Sequence, residues 1–95
     1  MFDGFIKNQL NHKLTPYGLT VTAYSAGKIT IQVQDAPARL QKIDKLVKEL
    51  GTDENVHTID FDKATALIHI TFNPSVATNL SALNQWLQII DTELR

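Results

Sequence analysis

Three polar residues, His69, Asp60 and Thr58, have the types and the spacing to meet on one face of a β-hairpin. Each lies in a stretch where polar and apolar residues alternate, which predicts strands whose polar side chains share a face. Imidazole and carboxylate groups bind hard or borderline metals, but a competent site needs three or four ligands. Since only one of each is in reach, we interpret the group as a solvated polar cluster. A weak metal site at His69 and Asp60 is the alternative.

No other motif for catalysis or cofactor binding is present in the sequence. Cysteine is absent, which excludes thiolate metal sites, cysteine nucleophiles and disulfides. The four glycines are spread singly, so they form no phosphate-binding loop, and no nucleophile elbow is found. Asp60 and Asp62 share a strand face, but they lie at a turn and not in a cleft. We therefore expect no catalytic residue, no cofactor and no enzymatic activity; a small enzyme is the third-ranked alternative.

Composition narrows the classes of partner. The chain has 95 residues, the length of one domain, with nine basic and ten acidic residues. A nucleic-acid-binding domain normally has a clear excess of lysine and arginine, so we expect no nucleic-acid partner. No apolar run is long enough to cross a bilayer, and the first residues do not resemble a signal peptide. We expect a cytoplasmic protein without a membrane span.

Periodicity places the polar residues on elements in the order α-β-β-α-β-β-α. Helical spacing of apolar residues covers positions 3–14, 35–50 and, from about Asn79, the last part of the chain. Alternation predicts strands at 19–24, 29–34, 57–62 and 67–72. Asp35 is predicted to cap the second helix and Gly51 to follow its end in the left-handed conformation. Arg39 is predicted to lie on the solvated basic face of that helix.

Turn chemistry predicts the strand pairing and the core. Gly27 suits the left-handed position of a three-residue turn, and a symmetric turn around residues 63–64 closes the second hairpin. The predicted pairs are Ala23 with Ile29, Val21 with Ile31, Ile59 with Ile68 and Thr58 with His69. His57 should face inward, partly buried. The residues expected in the core are Ile31, Ile59, Ile68, Ile70, Leu83 and Leu87.

Four segments carry a resemblance to a known family. They are Lys28–Val33, residues 40–50, Val56–Asp62 and residues 65–74, followed by a leucine-bearing helix. Across residues 28–91 the chain resembles the heavy-metal-associated domain family, in its variant branch without the CxxC motif. The resemblance implies a ferredoxin-like βαββαβ fold, but the loop at residues 34–38 supplies no thiolate, so copper transport does not carry over.

Two departures from the family pattern shape the expected fold. The family's last strand is missing, and an extra strand at 19–24 precedes the first. We expect the extra strand to lie beside the family's first strand, in the place of the missing last strand. The expected order across the sheet is then the extra strand, followed by the family's first, third and second strands. The prediction is a single α+β domain, residues 1–95. It has a ferredoxin-like four-stranded antiparallel sheet, two helices on one face and an N-terminal helical extension, residues 3–14.

Function is expected to rest on a surface and not on a catalytic centre. With two helices on the sheet, the N-terminal helix has no obvious site within the monomer, and its apolar stripe predicts an interface. The expected contact residues are Phe2, Phe5, Ile6, Leu10, Tyr24 and Leu67. We predict a non-catalytic binding or assembly module whose partner is another protein or a second copy in a two-fold dimer. Packing of the helix within the monomer, and a metal- or ligand-binding regulator using His69 and Asp60, are the alternatives.

Overall fold

The computed structural model describes residues 2–25, 27–75 and 80–94, without the side chains of residues 2–6, 80, 82 and 83. Over these residues the elements are α1 (Phe2–Leu14), β1 (Leu19–Ser25), β2 (Lys28–Val33), α2 (Leu40–Gly51), β3 (Val56–Asp62), β4 (Leu67–Phe72) and α3 (Leu80–Leu94). Short 3-10 turns, Thr15–Tyr17 and Ala36–Arg39, precede β1 and α2. The predicted order of helices and strands is confirmed. The predicted start of α3 near Asn79 lies outside the described residues.

The four strands form one antiparallel sheet in the order β1-β2-β4-β3. The extra strand, β1, lies beside β2 as expected, and β4 separates β2 from β3. Because β2 and β3 are both antiparallel to β4, they run in the same direction, and α2 makes the crossover between them. The fold is therefore α+β, with three helices and a four-stranded antiparallel sheet in the described chain.

The first hairpin is tighter than predicted. Ser25 pairs with Lys28, so two residues separate the last paired positions where three were expected. Gly27 has φ 86°, in the left-handed region as predicted, and a Cβ added there would lie 3.2 Å from the Phe72 carbonyl oxygen. Both the backbone conformation and the close approach of β4 therefore favour glycine at this position.

A β-bulge in β1 compensates for the shorter turn. Val21 pairs with Ile31 as predicted, but Ala23 lies opposite Thr30, and its predicted pairing with Ile29 is wrong. The register shifts at the residue between Val21 and Ala23. An extra residue on one strand reverses the faces of the residues that follow it relative to simple alternation.

The second hairpin has a four-residue turn, residues 63–66, where the sequence predicted a symmetric turn around 63–64. Asp62 pairs with Leu67, Asp62 Oδ1 accepts the Ala64 N–H at 2.9 Å, and Ala66 adopts φ 59°. An aspartate that bonds the backbone two residues ahead is a common turn device. It lengthens the turn and moves the register by two residues.

The pairs predicted for this hairpin are therefore wrong. Ile59 lies opposite Ile70 and not Ile68, and His69 lies opposite Asp60 and not Thr58. Faces are preserved because the shift is an even number of residues. The correction matters for the polar cluster, since it brings the carboxylate directly across from the imidazole.

Both predicted caps of α2 are wrong. Asp35 adopts φ 53° and makes no side-chain capping hydrogen bond, because a 3-10 turn separates it from the helix. Gly51 is the last residue of the helix and lies outside the positive-φ residues. A Cβ at Gly51 would lie 3.4 Å from Ile59 Cγ2, which is an ordinary van der Waals contact between α2 and β3.

The core lies between the inner face of the sheet and the helices. Ile31, Ile68 and Ile70 are buried as predicted, whereas Ile59 is half-buried because β3 is an edge strand. Leu87 is also half-buried against the core, and the predicted burial of Leu83 concerns a side chain outside the described set.

Helix α1 is part of the same core. Leu14 is 2% exposed, and Leu10 packs against the buried cluster. The expectation that this helix has no site within the monomer is therefore wrong for these two residues. The stripe residues Phe2, Phe5 and Ile6 have side chains outside the described set.

Candidate interaction surface

The outer face of the sheet is the surface that the helices leave uncovered. The buried residues of α1, α2 and α3 all belong to one cluster with the inward residues of the strands. Strand register places the outward residues in three rows: Thr20, Gln32, Leu67 and Asp62; Ala23, Thr30, His69 and Asp60; and Ser25, Lys28, Thr71 and Thr58. Most of them are exposed or half-buried. The face is thus polar and of mixed charge.

The middle row holds the predicted polar cluster. Asp60 pairs with His69 across β3 and β4, and Thr30 pairs with His69 across β2 and β4. His69 Nδ1 lies 3.4 Å from Thr30 Oγ1, and Thr30 is the buried residue at the centre of this face. The half-buried His69 therefore contacts the Thr30 hydroxyl on one side, and the strand register places Asp60 on its other side.

This row offers two ligand residues for a metal ion. In the described part of the chain, no group of three or more His, Cys, Asp and Glu residues is placed to hold one. Thr58, the third member of the predicted cluster, has its hydroxyl 2.5 Å from that of Thr71, in the next row. The arrangement is a row of cross-strand polar pairs.

Leu67 lies on the outer face where the sequence predicted it. It pairs with Gln32 and Asp62 and is half-buried. Among the residues of the three rows, Leu67 has the largest apolar side chain. Its participation in binding stays a prediction.

Tyr24 does not lie on the outer face. It pairs with the buried Ile29, and its ring centroid is 6.3 Å from that of Phe72, which is also buried. The bulge in β1 turns it inward, because alternation counted from Val21 assumed an unbroken register. The prediction that Tyr24 lies on the outer face is therefore wrong, because Tyr24 is half-buried and packs against the edge of the core.

His57 is exposed, and its predicted inward orientation is wrong. The register of β3 shifts between Val56 and Thr58, so His57 is the extra residue of a second bulge. This bulge lies at the start of the edge strand and leaves the polar rows that follow unchanged.

Arg39 was predicted on a solvated helix face, and the structure places it elsewhere. Its guanidinium donates to the carbonyl oxygens of Gln34, at 3.1 Å, and of Tyr17. It lies against Gly18, where an added Cβ would be 2.7 Å from Arg39 Nη1. These hydrogen bonds join the loops that precede β1 and α2, and they hold the half-buried Arg39 against the fold.

A polar groove of about 390 Å³ between α2 and α3 was not predicted. Asp53, which lines the groove, accepts the indole N–H of Trp86 at 3.2 Å and the backbone N–H of Asn55 at 2.8 Å. Both carboxylate oxygens of Asp53 are therefore engaged in hydrogen bonds within the fold. Trp86 in turn packs edge-on against Phe72 with ring centroids 5.4 Å apart.

No protein-family model matches the chain, and no curated protein or solved structure matches it either. Among the described helices, none combines the length and the apolar character that crossing a bilayer requires.

Proposed function

We propose that this chain is a non-catalytic protein-binding module that uses the outer face of its sheet. Its fold is of the ferredoxin-like type, in the variant heavy-metal-associated branch without the CxxC motif. Support comes from the run β2-α2-β3-β4-α3 and from the central position of β4 between β2 and β3. In that frame β1 takes the place of the family's last strand.

The observation that carries the proposal is the uncovered sheet face. Three rows of side chains from four strands form a continuous surface with both charges, several hydroxyls and one leucine. Interfaces between proteins that associate reversibly are about as polar as the rest of the surface. An exposed polar face that spans four strands therefore suits a partner that binds and dissociates.

Two cavities in the described chain bear on the question of a small-molecule site. Small-molecule sites usually have volumes of about 300–1,000 Å³ with convergent polar groups. The enclosed apolar cavity beneath the sheet measures about 30 Å³ and is lined by core residues such as Leu14 and Ile70. In the larger groove between α2 and α3, the carboxylate of Asp53 is already bonded within the fold.

Another protein is a better candidate partner than a second copy bound through α1. A two-fold dimer through that helix would use its apolar stripe, but Leu10 and Leu14 already pack inside the monomer. The outer face keeps its side chains available without unfolding any element. We therefore assign the contact to Leu67 and the polar rows around it.

Leu67→Arg tests this assignment by placing a long cation in the first row of the face. Affinity capture from an extract of the source cells, with mass spectrometry, should recover proteins with the wild type that this variant loses. Each recovered protein is then purified and its binding measured directly. Lys45→Glu, on the exposed side of α2, is the control and should retain the binding. Equal binding by Leu67→Arg and the wild type would contradict the proposal.

A further inference from the structure

The two edges of the sheet differ in how their backbone groups are used. At the β1 edge, Asn11 Nδ2 donates to the Val21 carbonyl at 3.3 Å, and Asn11 Oδ1 accepts the Val21 N–H at 2.5 Å. Lys7 Nζ donates to the carbonyl of Thr22 at 3.3 Å. Side chains of α1 therefore occupy the positions that an added strand would take along β1.

The β3 edge has no such cover in the described chain. The Phe72 N–H bonds to the Gly27 carbonyl at 2.9 Å, so alternate residues of β4, including Ile70, direct their backbone groups to β2. The residues between them, including His69, face β3 and bond to its residue Asp60. By the same alternation, the N–H and C=O groups of Ile59 and Phe61 point away from β4. None of the turn, loop or cap hydrogen bonds among the described residues engages them.

The side chains along this edge divide by face. Ile59 and Phe61 are half-buried on the inner side, where an adjoining strand would extend the apolar surface. Asp60 and Asp62 lie on the outer side, two residues apart. A strand added here would meet carboxylates on one face and apolar side chains on the other, with the period of two that strands impose.

This pattern disfavours a second copy of β3 as the added strand. Antiparallel pairing centred on Asp60 would place that residue opposite its own copy, and pairing centred on Phe61 would place Asp60 opposite Asp62. Like charges directly opposite each other destabilise a sheet. Pairing centred on Ile59 would place Phe61 opposite His57, at the bulge where the ladder is interrupted.

We propose that the free edge of β3 accepts an extended segment of a partner protein in which lysine or arginine alternates with apolar residues. The segment would form backbone hydrogen bonds with Ile59 and Phe61, and its cations would lie beside Asp60 and Asp62. Strand addition of this kind takes affinity from the backbone and specificity from alternate side chains. The inference rests on the proposed protein-binding function and names where, and what kind of segment, the module binds.

An acetylated hexapeptide of alternating valine and lysine is the probe, and the full-length ¹⁵N-labelled chain is the target. Amide chemical shifts should move at Ile59 and Phe61, and their amide hydrogens should exchange more slowly with peptide bound. The same peptide with glutamate in place of lysine should not bind. Absence of these changes, or changes centred on β1, would overturn the proposal.

Two matched double variants distinguish binding at the β3 edge from a general attraction between the cationic peptide and the acidic residues of the chain. Asp60→Asn with Asp62→Asn should weaken binding of the lysine peptide by about 2- to 30-fold, the effect of two cross-strand charge pairs. The asparagine at 62 keeps the oxygen that accepts the Ala64 N–H. Asp44→Asn with Glu49→Gln removes the same charge from exposed positions on α2 and should leave binding unchanged. Equal weakening by both pairs overturns the edge assignment.

The outcomes also separate this inference from the proposed function. If the peptide leaves β3 unchanged while Leu67→Arg still abolishes binding of a captured partner, the edge assignment alone is wrong. If the peptide binds β3 but Leu67→Arg leaves partner binding intact, the edge assignment stands and the outer-face assignment is wrong.

Discussion

The side-chain amide of Asn11 makes both hydrogen bonds that a neighbouring strand would make with Val21. Its Nδ2 lies 3.3 Å from the Val21 carbonyl oxygen and its Oδ1 lies 2.5 Å from the Val21 nitrogen. An asparagine has one donor group and one acceptor, as a peptide unit has, so it fits the free position of an edge strand. One residue of α1 therefore closes the β1 edge and joins the helix to the sheet.

Asn11→Ala should lower the free energy of unfolding by about 1–3 kcal/mol, because it leaves two partly buried backbone groups of Val21 without partners. Urea denaturation of the purified chain would measure the loss. Asn8→Ala, on the same helix but exposed, is the matched control and should change stability by no more than about 0.5 kcal/mol. Similar losses for the two variants would show that Asn11 does not support the edge.

Two glycine-to-alanine substitutions should differ in their effect on stability. At Gly27, φ 86° and the Phe72 carbonyl 3.2 Å from the new Cβ both oppose alanine, and we expect a loss of about 1–3 kcal/mol. At Gly51, the backbone is helical and the new Cβ meets Ile59 Cγ2 at 3.4 Å, an ordinary contact. Gly51→Ala should stay within about 0.5 kcal/mol of the wild type. A loss at Gly51 as large as that at Gly27 would mean that α2 cannot yield to the added methyl group.

Zinc and copper should bind weakly to the His69–Asp60 pair. Two protein ligands fall short of the three or four that tight zinc sites use, and Thr30 already lies 3.4 Å from the imidazole. Calorimetric titration of the full chain should show no sub-micromolar site for either ion. Sub-micromolar binding that His69→Ala abolishes, and that His12→Ala leaves intact, would establish the metal-binding alternative.

Alternation and helical spacing predicted the elements, because both depend on which residues must be buried. The expected sheet order came from the family resemblance, and the observed order of the strands agrees with it. The predicted faces were wrong where a strand contains one extra residue at a β-bulge, because the sequence around a bulge still alternates as a regular strand does. Thr22 and His57 are such insertions, and each lies in a run that reads as regular alternation. Tyr24 was assigned to the wrong face for this reason.

For the polar cluster, the sequence predicted the correct face of the sheet but not the correct cross-strand pairs. Asp60 and His69 were expected on one face of neighbouring strands, and they are, because the register shift was even. Their direct pairing depended on the Asp62 turn, whose hydrogen bond to Ala64 determines the turn length. The Asn11 contact left no periodic signal, since a single polar residue on a helix normally faces solvent.

The place of α1 in the molecule gives the last prediction. Leu14 is 2% exposed in the core, so Leu14→Ala should lower the free energy of unfolding by about 2–5 kcal/mol. Lys13→Ala, at the exposed neighbouring position, should have little effect. Deleting residues 1–14 removes this side chain and uncovers the β1 edge together, so we expect the shortened chain to unfold or aggregate.

Sedimentation of the intact chain completes this test. If α1 serves the core, the chain should be monomeric at high micromolar concentration and Leu14→Ala should change stability without changing mass. A dimer that dissociates on deletion of residues 1–14, with the shortened chain still folded, would return α1 to the role of an interface. Leu14 argues against that outcome, because a side chain buried within one monomer cannot also be the contact between two.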